Sequence, residues 1–246
     1  MRVIAAREQY LTNAPYPSLE ALEKYAESTY STLLYLTLQS LPLSSLIADH
    51  LASHVGKAAG IAAVLRGLPL LAFPSPPNHH ANNAGLSPTV QDQRGRRAHG
   101  VVTLPLDVMA STSLREEDVL RQGAEAPGLR DAVFTVATRA SDHLITARSM
   151  LENLRRGEEV GHSFEHEGEE GHVYTSLQSQ SQSNKSSAQL KEVDQAFGIL
   201  MGPAVSTSLW LERLQRVDFD IFRSEVRGRE WRLPWRAWWA FRRRRF

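Results

Sequence analysis

The stretch from Leu46 to Leu68 constrains this chain more than any other. It is dominated by small residues, among them Ala48, Ala52, Ser53, Gly56, Ala58, Ala59, Gly60, Ala62 and Ala63. Alanine is the strongest helix former and β-branched residues are few here, so the segment reads as one helix ended by Pro69. A helix lined with small side chains either lets neighbouring helices approach closely or leaves room for a bulky apolar ligand. Both readings place it in the middle of a helical assembly.

The flanking segments have matching periodicity. Ser18–Leu41 opens on a Ser cap with Glu20 in the first turn, and Leu19, Leu22, Tyr25, Ala26 and Thr29 recur at three- and four-residue spacing until Leu41-Pro42. Glu23 and Glu27, one turn apart, read as a solvated acidic stripe. Glu116 follows Ser113 at capping-box spacing. Leu129–Leu154 is the longest clean pattern, with Val133, Val136, Ala137, Ala140, Leu144, Ala147 and Leu151 on one side. Helical patterning returns from Ala196 to Phe222. No run alternates as a strand would, and the class is all-α. Residues 1–72, 100–156 and 196–246 make one helical domain. It is interrupted by a Pro/His-rich loop insert at 73–99 and a Ser/Gln-rich, low-complexity disordered insert at 157–195.

Composition removes several function classes. The absence of cysteine excludes disulfides and thiolate zinc sites. A net charge of +1 argues against nucleic acid as a partner. No apolar run approaches the roughly 20 residues of a membrane-spanning helix. The first residues, Met1-Arg2-Val3-Ile4-Ala5-Ala6-Arg7-Glu8, carry neither a signal core nor a transit-peptide pattern. They read as the inside of an amphipathic helix, as if the chain began partway through a fold. All five tryptophans lie at or beyond Trp210. Trp235, Trp238 and Trp239 with Arg242 and Arg243 suit a membrane interface, and packing of the tail on the domain is the alternative.

The order of these pieces brings a family into view. Leu22-Glu23-Lys24-Tyr25-Ala26, His54-Val55-Gly56-Lys57-Ala58-Ala59-Gly60-Ile61-Ala62-Ala63-Val64-Leu65-Arg66 and Val102-Thr103-Leu104-Pro105-Leu106-Asp107 resemble successive motifs of squalene and phytoene synthases. Tyr25–Leu36, Ala48-Asp49-His50, Ser53–Ala58 and Gln215-Arg216-Val217-Asp218-Phe219-Asp220-Ile221-Phe222 are more similar to a branch of that family that acts in assembly of mitochondrial respiratory complex I. The resemblance implies an isoprenoid-synthase-like helical bundle, N-terminally truncated. It also implies a matrix-side location at the inner mitochondrial membrane, complex I subunits or other assembly factors as partners, peripheral membrane contact through the tail, and no cofactor. Tyr25, Thr29, His54, Ala58 and Ile61 would line the family pocket.

The enzymes of the family ionise an allylic diphosphate, which requires Mg²⁺ held by carboxylates four residues apart on one helical face. The second such pair would fall on Gly67 and Leu71, with Gly60 and Ala63 at two further polar positions, and Asp-x-x-x-Asp occurs nowhere in the chain. No catalytic or metal-binding residue is therefore expected. The alternative is a transferase or isoprenoid-lipid binder that retains the pocket. Lys57, Arg66 and Arg148 remain as cations for a phosphate or lipid head group, and Arg66 reads equally well as a helix C-terminal charge. His50 and His54, at i and i+4, read as a structural or partner-facing pair, since Leu51 stands where a zincin would have glutamate. Asp218 and Asp220 point in different directions on a helix. They suit a salt bridge with Arg213 or Arg216, or a surface for a partner protein.

Overall fold

The computed structural model describes residues 2–41, 45–74, 100–156 and 182–246, and within them the chain is helical with no strand. In order the helices are α1 (Arg2–Gln9), α2 (Leu19–Ala26), α3 (Thr32–Gln39), α4 (Leu46–Ala72), α5 (Leu106–Ser111), α6 (Glu116–Gln122), α7 (Leu129–Arg156), α8 (Gln182–Arg216), α9 (Ser224–Arg227) and α10 (Leu233–Arg243). A π turn, Glu27–Ser31, joins α2 to α3.

Helix α4 is the axis of the bundle, with α2, the π turn, α7 and α8 packed around it. The small residues set its approach distances. A Cβ on Gly56 would stand 2.5 Å from the Ser31 Cα, and one on Gly60 would stand 2.6 Å from the Ala26 Cβ. The Ser31 hydroxyl donates to the Ser53 carbonyl at 3.0 Å across the same seam. Close helix approach, rather than space for a ligand, is what this stripe provides at Gly56 and Gly60.

Local signals position the ends. The Ser18 Oγ accepts from the Ala21 N–H at 3.1 Å, as expected of a cap, and the Leu19 N–H donates to Asp107 at 2.9 Å. The Val102–Asp107 connection thereby closes the start of α2. Ser113 does not cap α6. Its φ is +55°, and Glu116, the first residue of α6, accepts from the Val102 N–H at 3.0 Å instead. A tertiary acceptor role has displaced the capping box.

Three further expectations change. Pro69 lies inside α4, whose last turn closes with the Phe73 N–H donating to the Pro69 carbonyl at 3.2 Å. A proline this close to the end forfeits one hydrogen bond without breaking the helix. At 27 residues α4 is, after all, long and apolar enough to cross a membrane, but most of it is buried inside the bundle as a core helix. Helix α8 begins at Gln182 rather than Ala196, because Val193, Ala196, Phe197 and Leu200 bury one continuous stripe. The rest of the Ser/Gln insert (157–181) and residues 75–99 of the Pro/His loop lie outside the described residues.

Helix α8 stops at Arg216, before the expected Phe222. Asp218 and Phe219 take left-handed φ values of +55° and +57°, and the Phe219 N–H donates back to the Leu214 carbonyl at 3.0 Å. Left-handed backbone costs non-glycine residues roughly 1–2 kcal/mol each. Two contacts to α7 hold the corner, a salt bridge of Asp218 with Arg130 at 3.0 Å and the edge-on ring pair Phe134–Phe219 at 4.9 Å.

Candidate functional site

The five residues expected to line a pocket are buried: Tyr25, Thr29, His54, Ala58 and Ile61 all belong to the core between α2, α4 and α7. One of them, His54, serves a polar chain that the sequence did not disclose. His50 and His54 sit one turn apart on α4 with their Nε2 atoms 3.1 Å apart. The other nitrogen of His54, Nδ1, lies 3.1 Å from Nδ1 of His143 on α7, and His143 Nε2 lies 3.0 Å from Glu23 Oε1 on α2. Arg139, one turn before His143, pairs with the same carboxylate through Nε, and its Nη2 donates to Oε2 at 3.3 Å.

With the rings neutral, one proton arrangement satisfies these three ring contacts. His50 donates to His54, His54 to His143, and His143 to Glu23. Glu23 is thus no solvated residue. Burial acts to raise its pKa, but the hydrogen bonds from His143 and Arg139, with the guanidinium charge beside it, outweigh that and bring the carboxyl down to about 2. Thr29 contributes to the backbone, donating from Oγ1 to the Tyr25 carbonyl at 2.7 Å. Beside it, Glu27 accepts from the Tyr35 hydroxyl at 2.5 Å and from the Ser53 hydroxyl at 2.8 Å. Glu27 therefore ties the π turn and α3 to α4.

The three candidate cations are kept apart. Lys57 is buried within α4. Arg148 donates to the Ser208 hydroxyl and to the Phe246 oxygen, both at 2.7 Å. Burial lowers its pKa, with Glu212 acting in the opposite direction. Arg66 stands over the Trp210 ring at 4.9 Å and donates to the Ser206 carbonyl at 3.4 Å. Ser206 and Ser208 are two positions apart on α8, about 200° around the helix, so Arg66 and Arg148 approach different faces.

Arg66 opens onto a cavity of about 450 Å³ between α4, α8 and the 221–233 segment. Its walls combine Leu70, Trp210 and Ile221 with Arg213 and Arg227. Burial lowers the Arg66 pKa. Arg213 is occupied, donating to the Gly228 carbonyl at 2.6 Å and pairing with Glu230 at 2.6 Å. Trp210 and Arg213 were not assigned to a pocket from the sequence, because only the fold brings α8 against the end of α4. The expected carboxylate positions on α4 are Gly67 and Leu71, and among the described residues no group of three His, Asp or Glu side chains could hold a metal ion.

Asp218 and Asp220 part company. Asp218 pairs with Arg130, not Arg213 or Arg216, beside an open groove of about 610 Å³. Asp220 is buried, accepts from the Phe222 N–H at 3.0 Å and lies 3.4 Å from Arg223. Its role is to stabilise the turn rather than to face a partner. In α10 the tryptophans named from the sequence are exposed, while Ala240 is buried against α8. The tail thus packs on the domain through Leu233, Ala240 and Phe246, and Trp235, Trp238 and Trp239 lie on the other side of that contact.

The family model for squalene/phytoene synthase matches residues 1–72 and 85–160. Among curated relatives, the chain is 31% identical over 95% of its length to a mouse protein named NADH dehydrogenase (ubiquinone) complex I, assembly factor 6, of which it covers 51%. The fruit fly (Drosophila melanogaster) homolog of that factor is 29% identical over 97% of the chain and 52% of the relative. The Dictyostelium discoideum homolog is 25% identical over 60% of the chain and 35% of the relative. The chain spans about half the length of the first two of these relatives. No solved structure matches. The family model covers more than half of the chain, and the chain belongs to the squalene/phytoene synthase family.

Proposed function

We propose that this chain is a non-catalytic helical scaffold in the assembly of respiratory complex I, acting at the matrix face of the inner mitochondrial membrane. The similarity to relatives named as complex I assembly factors, along nearly the whole chain, carries this reading. The residues of α4 support it. Gly67 and Leu71 stand where the family's enzymes place Mg²⁺ ligands, and neither side chain offers an oxygen. The partners are complex I subunits or other assembly factors, met in part through the exposed Asp218 corner. Deleting the gene and resolving respiratory complexes on native gels tests the proposal. Loss of assembled complex I is expected, and unchanged complex I with unchanged NADH oxidation would overturn it.

One observation favours a second reading, a binder or transferase of isoprenoid diphosphates or related lipids. The cavity beside Arg66 joins cations to apolar walls, the combination such a ligand needs. Purified protein incubated with farnesyl or geranylgeranyl diphosphate and Mg²⁺ decides between them. Turnover that a chelator abolishes would replace the scaffold reading with a catalytic one.

A further inference from the structure

Helix α10 is amphipathic in the wrong sense for a helix at the surface of a soluble bundle. Leu233, Ala237 and Ala240, at i, i+4 and i+7, form its inward stripe, with Ala240 buried and Leu233 packed beside Val205 and Leu209 of α8. The opposite stripe contains Trp235, Trp238 and Arg242, with Trp239 beside it and Trp231 in the turn just before the helix. Side chains of Trp231, Trp235, Trp238 and Trp239 are 75%, 66%, 48% and 46% exposed. The large apolar rings thus point to solvent and the small residues point to the protein. Burial of a tryptophan is worth roughly 2–3 kcal/mol or more, so a helix selected only for packing on α8 would be turned the other way.

The charged side chains beside these rings are arginines. Arg242 lies over the Trp238 ring at 5.6 Å and Arg243 over the Trp239 ring at 4.7 Å. Among the described residues, neither arginine pairs with a carboxylate. Glu212 and Glu230 are engaged elsewhere, with Arg236 at 3.1 Å and Arg213 at 2.6 Å respectively. Indole rings settle at the headgroup level of a bilayer, and guanidinium groups settle on its phosphates.

We propose that the outward face of α10 docks on an anionic phospholipid bilayer, with Trp235, Trp238 and Trp239 entering the headgroup region and Arg242 and Arg243 on lipid phosphates. This gives the matrix-face location a physical means and rests on that reading only for which membrane is met. The lipid contact itself is testable without complex I.

The test is flotation of the 246-residue chain with vesicles of phosphatidylcholine alone and of phosphatidylcholine containing about one-third phosphatidylglycerol, a strongly anionic surface. Binding to the anionic vesicles, weak binding to the neutral ones, and loss of binding as salt rises are expected. The W235S/W238S/W239S variant should lose at least about tenfold in affinity while its thermal midpoint stays unchanged, because the rings it removes face solvent. The R242Q/R243Q variant keeps the tryptophans and should lose about fivefold per arginine, for the anionic vesicles only. Absence of vesicle binding, equal binding to both compositions, or a tryptophan variant that binds like its parent would overturn the proposal. Expressing the tryptophan variant in gene-deleted cells separates the two readings. If the parent ignores vesicles but the variant fails to restore complex I, the face serves a protein partner and the lipid proposal falls while the assembly role stands. If the variant loses vesicle binding but restores complex I, the lipid face is real and assembly does not need it.

Discussion

At the residue scale Glu23 organises the core. Its carboxylate meets Arg139 and His143 from α7, and His143 passes the network on to His54 and His50 of α4. Removing one partner of a buried pair leaves the others uncompensated, which typically costs about 3–5 kcal/mol. Glu23→Ala should therefore destabilise the protein by about 3 kcal/mol, measured by urea unfolding at neutral pH. The pH dependence has a definite sign. The carboxyl is depressed to about 2 from its ordinary value of 4.5, so its contribution is present above pH 4.5 and is lost as the pH falls toward 2. The parent should lose roughly 3 kcal/mol more than Glu23→Ala does over that window. Parallel curves for the two proteins would remove Glu23 from its assigned role.

At the element scale the α4 seam makes opposite predictions for two glycines on one helix. A methyl on Gly56 meets the Ser31 backbone, whereas a methyl on Gly67 meets nothing within 4 Å. Gly56→Ala should cost about 1–3 kcal/mol through overpacking. Gly67→Ala should stabilise by up to about 1 kcal/mol, because alanine loses less backbone entropy in a helix. Thermal unfolding of the two variants checks both signs. Equal effects would mean that the π turn does not sit on Gly56 as described. The contrast also explains why one small-residue stripe serves two ends. It admits α2 and the π turn at Gly56 and Gly60, then opens beside the Arg66 cavity at Gly67.

At the scale of the whole molecule, stability is unevenly distributed. Two large clusters bury α2, α4, α7 and α8 against one another, while α10 is held by a small third cluster of Val205, Leu209 and Ala240. Helices with few buried apolar contacts open without global unfolding. Hydrogen exchange should therefore be orders of magnitude faster in α10 than in the centres of α4 and α7, and anionic vesicles should slow it in α10 alone. Protection in free α10 equal to that in α4 would show that the tail is part of the main core.

What the sequence by itself determined follows from periodicity and local chemistry. The small-residue helix, the buried stripe Val133–Leu151, the Ser18 cap, the all-α class and the absence of carboxylates at Gly67 and Leu71 are properties of residues near one another in the chain. Those properties survive any packing arrangement. Only the tertiary structure decided which polar groups are inside. Glu23 looked like one of two exposed acids until α7 supplied Arg139 and His143, more than a hundred residues away. The position of His143, three residues after Ala140 and seven after Val136 within an apolar stripe, was the trace it left in the sequence. The direction of the tail tryptophans was likewise undetermined, since a helix with rings on one side and small residues on the other can be turned either way. Contact with α8 selects the small side, because Ala240 and Leu233 fit the space left by Val205 and Leu209. The rings of Trp235, Trp238 and Trp239 are left facing outward.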